Sequence, residues 1–189
     1  MRFEVLTRPA SDPLLLDEVK DHLRVDGGDD DASFGALIEA ATACLEAHLG
    51  AALVARDVHI FLDHIPMSTA PARLPVRPIA ALDAVEVKLA DGTWQAVAQE
   101  AVSFRPGLSP EVALLGAVTV NAGQREPLRL SARAGFGEHW NAVPLVIRQA
   151  LLQLVAYLYT HRGDIGEGAN ALVASGASAL VSTYRQVRL

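Results

Sequence analysis

Cysteine is almost missing from this chain: Cys44 is the only one in 189 residues. No disulfide can form within the chain, no thiolate metal cluster can be built, and a reducing compartment, the cytoplasm, is expected. Long apolar runs are missing too. No stretch approaches the roughly 20 residues that span a bilayer, and the first residues, with Glu4 and Asp12 and no long apolar core, lack the form of a signal peptide. Positive charge is in short supply. Sixteen Lys plus Arg stand against 22 Asp plus Glu, a net charge of -6 that disfavours general nucleic-acid binding.

Catalytic signatures are absent as well. The six histidines include no His-x-x-x-His pair and no partner carboxylate at a zinc spacing. His59 and His64 lie near Asp63, which reads as a strand-end surface cluster. The acidic run from Asp26 to Asp31 does not meet the calcium-loop form and is expected to serve a helix N-terminus instead. No serine sits in a G-x-S-x-G elbow, and Cys44 lies mid-helix among alanines as a buried, inert thiol. The glycines at 135 and 137 and from 163 to 168 form neither G-x-G-x-x-G nor a phosphate loop. No metal, cofactor or catalytic residue is therefore expected, and the lack of convergent polar groups favours a scaffold role.

What the chain does contain is core material: 51% of its residues are hydrophobic and 20% charged, with a mean hydropathy of +0.24, enough for one folded domain over residues 1–189. Charge is uneven, because residues 1–50 hold eleven acids and four bases while the remainder is nearly balanced. Leu16, Val19 and Leu23 oppose Asp17, Lys20, Asp21 and Arg24, the pattern of a short amphipathic helix over 14–24. After Gly27 and Gly28 a second helix is expected over 32–49. Phe34, Leu37, Ile38, Ala41, Leu45 and Leu49 form its apolar face, and Gly50 stands at the C-cap.

From residue 53 to residue 137 the period changes from 3.6 to 2 and prolines become frequent, which predicts an antiparallel β sandwich or barrel. Strands are expected at Val58 to Leu62, Val85 to Leu89, Val102 to Phe104, Val112 to Leu115, Val118 to Val120 and Leu128 to Ala134, with a hairpin at Asp91-Gly92. Arg125, Arg129 and Arg133 share one strand face, expected to be solvated or salt-bridged.

A third helix opens at Pro144 and runs to about Arg162. Gln149, Gln153, Ala156 and Thr160 give it only a narrow polar stripe. Two readings stay open: its wide apolar surface meets another subunit, or it forms the centre of a monomeric core. Leu151, Leu154 and Leu158 are expected in the core, and Arg148, Tyr157, Tyr159 and Arg162 at a subunit contact. Residues 163–176 show no helical face and read as a leash. Residues 177–189 contain no acid and alternate Tyr184, Val187 and Leu189 with Arg185 and Arg188. That segment reads as an arm for a partner or as an edge strand of its own domain. The fold class is therefore α+β: a three-helix core (12–50 and 143–163), a β insertion (53–137) and a C-terminal arm (177–189).

Four blocks carry a likeness to a known family. They are Leu16, Glu18, Lys20, His22, Leu23 and Arg24; then Asp30, Leu37-Ile38, Ala40-Ala41, Glu46, Gly50 and Leu53; then Val143-Pro144, Ile147 to Ala150, Leu154 to Ala156, Tyr159 and Arg162; and finally Tyr184 to Leu189. In order and spacing the chain resembles the head-tail connector (adaptor) proteins of tailed bacteriophages and gene transfer agents, in the long form with a β insertion. Leu74-Pro75 with Arg77-Pro78-Ile79 is similar to the loop that opens the family's middle strands. His48-Leu49 and Thr183 depart from the family pattern, which favours an aromatic and a proline there.

The resemblance implies a non-enzymatic homo-oligomer, a ring usually of twelve copies, mounted on the portal protein and meeting the stopper or tail-completion protein. DNA would pass through the ring without specific binding, and no membrane is involved. It places the chain in the cytoplasm during assembly and then in the particle neck, with Tyr184, Arg185, Val187, Arg188 and Leu189 as a portal-docking arm. The alternative from another class is a small-molecule-binding or catalytic α+β domain with its site in the β insertion.

Overall fold

The computed structural model describes residues 1–116, 125–161 and 168–185. The chain divides into two compact units. One combines Met1–Pro9 with Ala55–Gly135, and the other combines Ala10–Val54 with Phe136–Leu189.

The second unit is helical. It contains α1 (Leu16–Leu23), α2 (Asp31–Leu49), α3 (Leu145–Thr160), α4 (Gly168–Ala174) and α5 (Ala177–Leu180). In α2 the residues Phe34, Ile38, Ala41, Leu45 and Leu49 recur at helical spacing and all are buried. They meet Ile147, Ala150, Leu151, Leu154 and Val155 of α3, of which none is exposed to solvent. Each leucine enclosed in this way contributes roughly 1.5 to 3 kcal/mol. Leu158, expected in the core, is half-buried and packs against its edge. Gly50 ends α2 with a left-handed φ of 61° and donates its N–H to the Glu46 carbonyl, as the sequence leads one to expect.

Two expectations about local structure are corrected in this unit. Asp30 occupies the N-cap of α2 but makes no capping bond with its side chain, so the acidic run acts chiefly through contacts with other helices, described below. Residues 168–180, read as leash and arm, form α4 and α5 instead. Ala177 and Val181, four apart, are fully buried in the helical core. Small residues hid the period: alanine carries little hydrophobic signal but fits closely against α3.

The first unit holds the strands β1 (Arg2–Val5), β2 (Arg56–Leu62), β3 (Ala72–Arg73), β4 (Ile79–Lys88), β5 (Trp94–Ala96), β6 (Val102–Arg105), β7 (Glu111–Leu114) and β8 (Leu128–Ala134). A five-stranded sheet runs in the order β1-β2-β8-β4-β5 and a three-stranded sheet in the order β3-β7-β6, and every strand pair is antiparallel. Among the described residues the larger sheet ends at β1 and β5, which gives the two-sheet form. Strand alternation holds along β8, where Leu128, Leu130, Ala132 and Ala134 are buried and Arg133 is exposed. The hairpin expected at Asp91-Gly92 joins β4 to β5. Gly92 takes a φ of 86° there, and Asp91 accepts hydrogen bonds from the Thr93 N–H at 2.9 Å and the Thr93 hydroxyl at 2.6 Å. The strand expected at Val118 to Val120 lies outside the described residues.

Candidate functional site

Two of the residues singled out on the third helix, Arg148 and Tyr159, belong to clusters that join helices within the unit. Arg148, on α3, pairs with Glu18 on α1, and its guanidinium lies 4.3 Å above the ring of Trp140. Its side chain is only 11% exposed. The other carboxylate oxygen of Glu18 accepts the Leu15 N–H at 3.1 Å and so caps α1. One carboxylate therefore stops the helix from fraying and ties it to α3.

Tyr159 stacks on Phe34 of α2 with ring centroids 5.1 Å apart, and its hydroxyl donates to Asp30 at 3.2 Å. Asp31, next along, takes the Lys20 ammonium at 2.5 Å and links α1 to α2. Tyr157 stacks on His161 at 4.1 Å. Arg162 lies outside the described residues. Nothing local in the sequence marks Glu18 or Trp140 as a partner of Arg148, because 130 residues separate Glu18 from the arginine.

The opening turn of α3 presents apolar surface, as do Leu15 and Val173 elsewhere in the unit. Leu145 is 75% exposed and Val146 43%, both large side chains in water on an otherwise well-buried helix. In the tail, Tyr184 is half-buried against Phe136, with ring centroids 6.2 Å apart, and Arg185 is exposed. Val187, Arg188 and Leu189 lie outside the described residues.

In the β unit the charged side chains are paired across strands. Arg129 meets Glu86 at 2.7 Å and lies 4.5 Å from the Trp94 ring, and Arg133 meets Asp57 at 3.3 Å. The basic face of β8 is thus spent on neighbouring strands, which a phosphate track would not allow. Glu111 on β7 accepts from Arg73 of β3 and from Arg105 of β6, and these arginines, Arg73 foremost, hold its carboxyl below the usual carboxylate range. Arg2 on β1 likewise holds Glu126 down, through bonds of 2.9 and 3.0 Å. Arg77 is buried and donates to the Leu108 carbonyl at 3.2 Å; burial lowers its proton affinity.

A groove of about 590 Å³ lies in the same unit, lined largely by Ala, Val and Leu side chains of β4, Val102 and Phe104 of β6, and a single carboxylate, Asp83. Among the described residues no three His, Cys, Asp or Glu side chains converge as a metal site would require. No described helix is long and apolar enough to cross a membrane.

A family model for phage gp6-like head-tail connector protein matches residues 14–105, a stretch that takes in α1, α2 and β2 to β6. No curated protein matches the sequence. Among solved structures, a chain in the neck of an empty gene transfer agent (GTA) particle computed with C6 symmetry is 28% identical, with a TM-score of 0.82 over 100% of this chain and 97% of that one. A chain in the virion of a native GTA particle is 26% identical with a TM-score of 0.78, and one in the neck of a native GTA particle computed with C12 symmetry is 26% identical with a TM-score of 0.79. Both match across 100% of this chain and 97% of their own. By these likenesses the protein is a structural connector subunit, similar to the phage gp6-like head-tail connector proteins.

Proposed function

We propose that this protein assembles as a ring in the neck of a phage-like or gene transfer agent particle, where it joins the portal protein to the stopper or tail-completion protein and surrounds the path of the DNA. The observation that carries this reading is the likeness to neck subunits along the whole chain, in particles computed with C6 and C12 symmetry. Twelve copies agree with both symmetries. The net charge of -6 suits a channel along which DNA slides instead of sticking, and the ring has no enzymatic step to perform.

The exposed opening turn of α3, with Leu145 and Val146, is an apolar surface of the helical unit that a neighbour would cover. Arg148 lies just after that turn and is tied to Glu18, and Tyr157, Tyr159 and Arg162, at the far end of the same helix, are proposed to flank a subunit contact there. The acid-free terminal segment, Tyr184 and Arg185 followed by Val187, Arg188 and Leu189, is the part proposed to dock on the portal.

The test is removal of the gene from a particle-producing host. DNA-filled heads without tails, restored to tailed particles by the gene in trans, are expected. Normal tailed particles in its absence would overturn the proposal.

A further inference from the structure

β1 is an edge strand, bonded on one side to β2. The Leu6 N–H reaches the Asp57 carbonyl at 2.8 Å, which sets the phase of that ladder. Arg2, Glu4 and Leu6 turn their backbone groups towards β2, and Phe3 and Val5 turn theirs to the open edge. The apolar side chains of β1, which alternate with the charged Arg2 and Glu4, are in water: Met1 is 46% exposed, Phe3 44%, Val5 50% and, just beyond it, Leu6 51%. A strand with open backbone groups and uncovered apolar side chains is a template for pairing with another strand.

The far end of the same sheet offers a gap. β5 pairs with β4 only at Glu86 to Lys88. Ala80 to Ala84 lie between the Ile79–Gly107 bridge and the hydrogen bond from the Val97 N–H to the Val85 carbonyl, with β8 on one side and, among the described residues, no strand on the other. The groove of about 590 Å³ runs along this stretch, and Val102 and Phe104 of β6 form its other wall. β6 is itself the last strand of the smaller sheet. An unpaired strand edge, apolar walls and small alanine side chains leave room for an extended backbone.

We infer that β1 of one copy enters the groove between β4 and β6 of the next, so that the five-stranded sheets of successive copies continue head to tail. The inference rests on the ring proposed above and names one of its contacts. A second copy is the occupant because a ring needs two different, complementary surfaces on each subunit, and this sheet carries one at each end. A four-residue strand meets a five-residue gap, apolar side chains meet apolar walls, and the exposed Arg8 that follows β1 is opposite in charge to Asp83 on the groove.

Cysteine cross-linking of the full chain in a Cys44→Ser background tests it, with Val5→Cys and Ala81→Cys made singly and together at two exposed positions. Oxidation should give a covalent dimer only when the two single variants are mixed, and a ladder of oligomers from the double variant. A dimer from Val5→Cys alone would mean that β1 pairs with β1, and would overturn the inference. So would the absence of any covalent product at the highest soluble concentration. Closed rings in electron micrographs without the ladder overturn the strand docking and leave the ring standing. A ladder that never closes into rings supports the docking and counts against the ring.

Discussion

Arg148 and Glu18 form an ion pair that holds α3 to α1, with the arginine sandwiched between that carboxylate and the Trp140 ring. A charge on the third helix, which in the sequence reads as a contact for a neighbour, thus works first inside the subunit. Reversal by Arg148→Glu puts two carboxylates together in a site where the arginine is only 11% exposed, one of them the carboxylate that caps α1. A loss of about 1 to 3 kcal/mol is expected. Chemical denaturation of the variant measures it, and Glu18→Arg combined with Arg148→Glu should recover part of the loss.

The apolar core of the helical unit gives a graded pair. Leu154 is fully buried, and Leu154→Ala should cost about 2 to 5 kcal/mol. Leu158 is half-buried at the edge of the same cluster, so Leu158→Ala should cost clearly less. Equal losses for the two would contradict the placement of Leu158.

The tail divides at Tyr184. Ala177 and Val181 fill the core beside α3, and Tyr184 packs on Phe136. Deleting residues 177–189 should therefore lower the thermal midpoint of the isolated subunit markedly. Removing only residues 186–189 should leave the midpoint unchanged and weaken attachment to the portal. A calorimetric scan together with a portal pull-down separates the two effects.

Acid should act on the β unit through Glu111 and Glu126. Both carboxyls are held below their ordinary value by arginines, Glu111 by Arg73 of β3 and Arg105 of β6 and Glu126 by Arg2 of β1. A carboxyl depressed in the folded state adds stability above its unfolded pKa of roughly 4.3, and that stability fades as pH falls through the folded value. The urea midpoint of the wild type should drop between about pH 6 and about pH 3, and Glu111→Gln should show a shallower drop. An unchanged slope in that variant would remove Glu111 from the account.

Gly137 is a site where one methyl group is too many. A Cβ there would stand 2.3 Å from the Cβ of Ala142, a short side chain that cannot swing aside. Gly137→Ala should destabilise the helical unit by about 1 to 3 kcal/mol, and the further change Ala142→Gly should relieve part of it.

Elements with a strong period or a turn signal were legible in the sequence. α2 shows its buried face at helical spacing and its glycine cap, and β8 follows strict alternation over Leu128–Ala134. β1 was not legible. All four of its residues are exposed, so it has no buried face to announce it, and only pairing with β2 makes it a strand. α4 and α5 were hidden by small residues. The contacts of Arg148 with Glu18 and of Tyr159 with Asp30 cross about 130 positions of chain, and no local pattern records such a distance. The likeness of the blocks to connector proteins was readable because it rests on order along the chain and needs no packing.

The division of the chain at Pro9, Val54 and Gly135 also fixes a timetable of synthesis. β1 leaves the ribosome before the rest of its sheet, and its partner β2 follows only after α1 and α2, more than fifty residues later. Closing so long a loop adds little entropic cost beyond that of a shorter one, yet it makes the first strand wait. α3, against which α1 and α2 pack, emerges only after the whole β unit has been made. A nascent chain therefore completes its strands while its first two helices still lack their main partner, and the helical core is assembled only after the β unit.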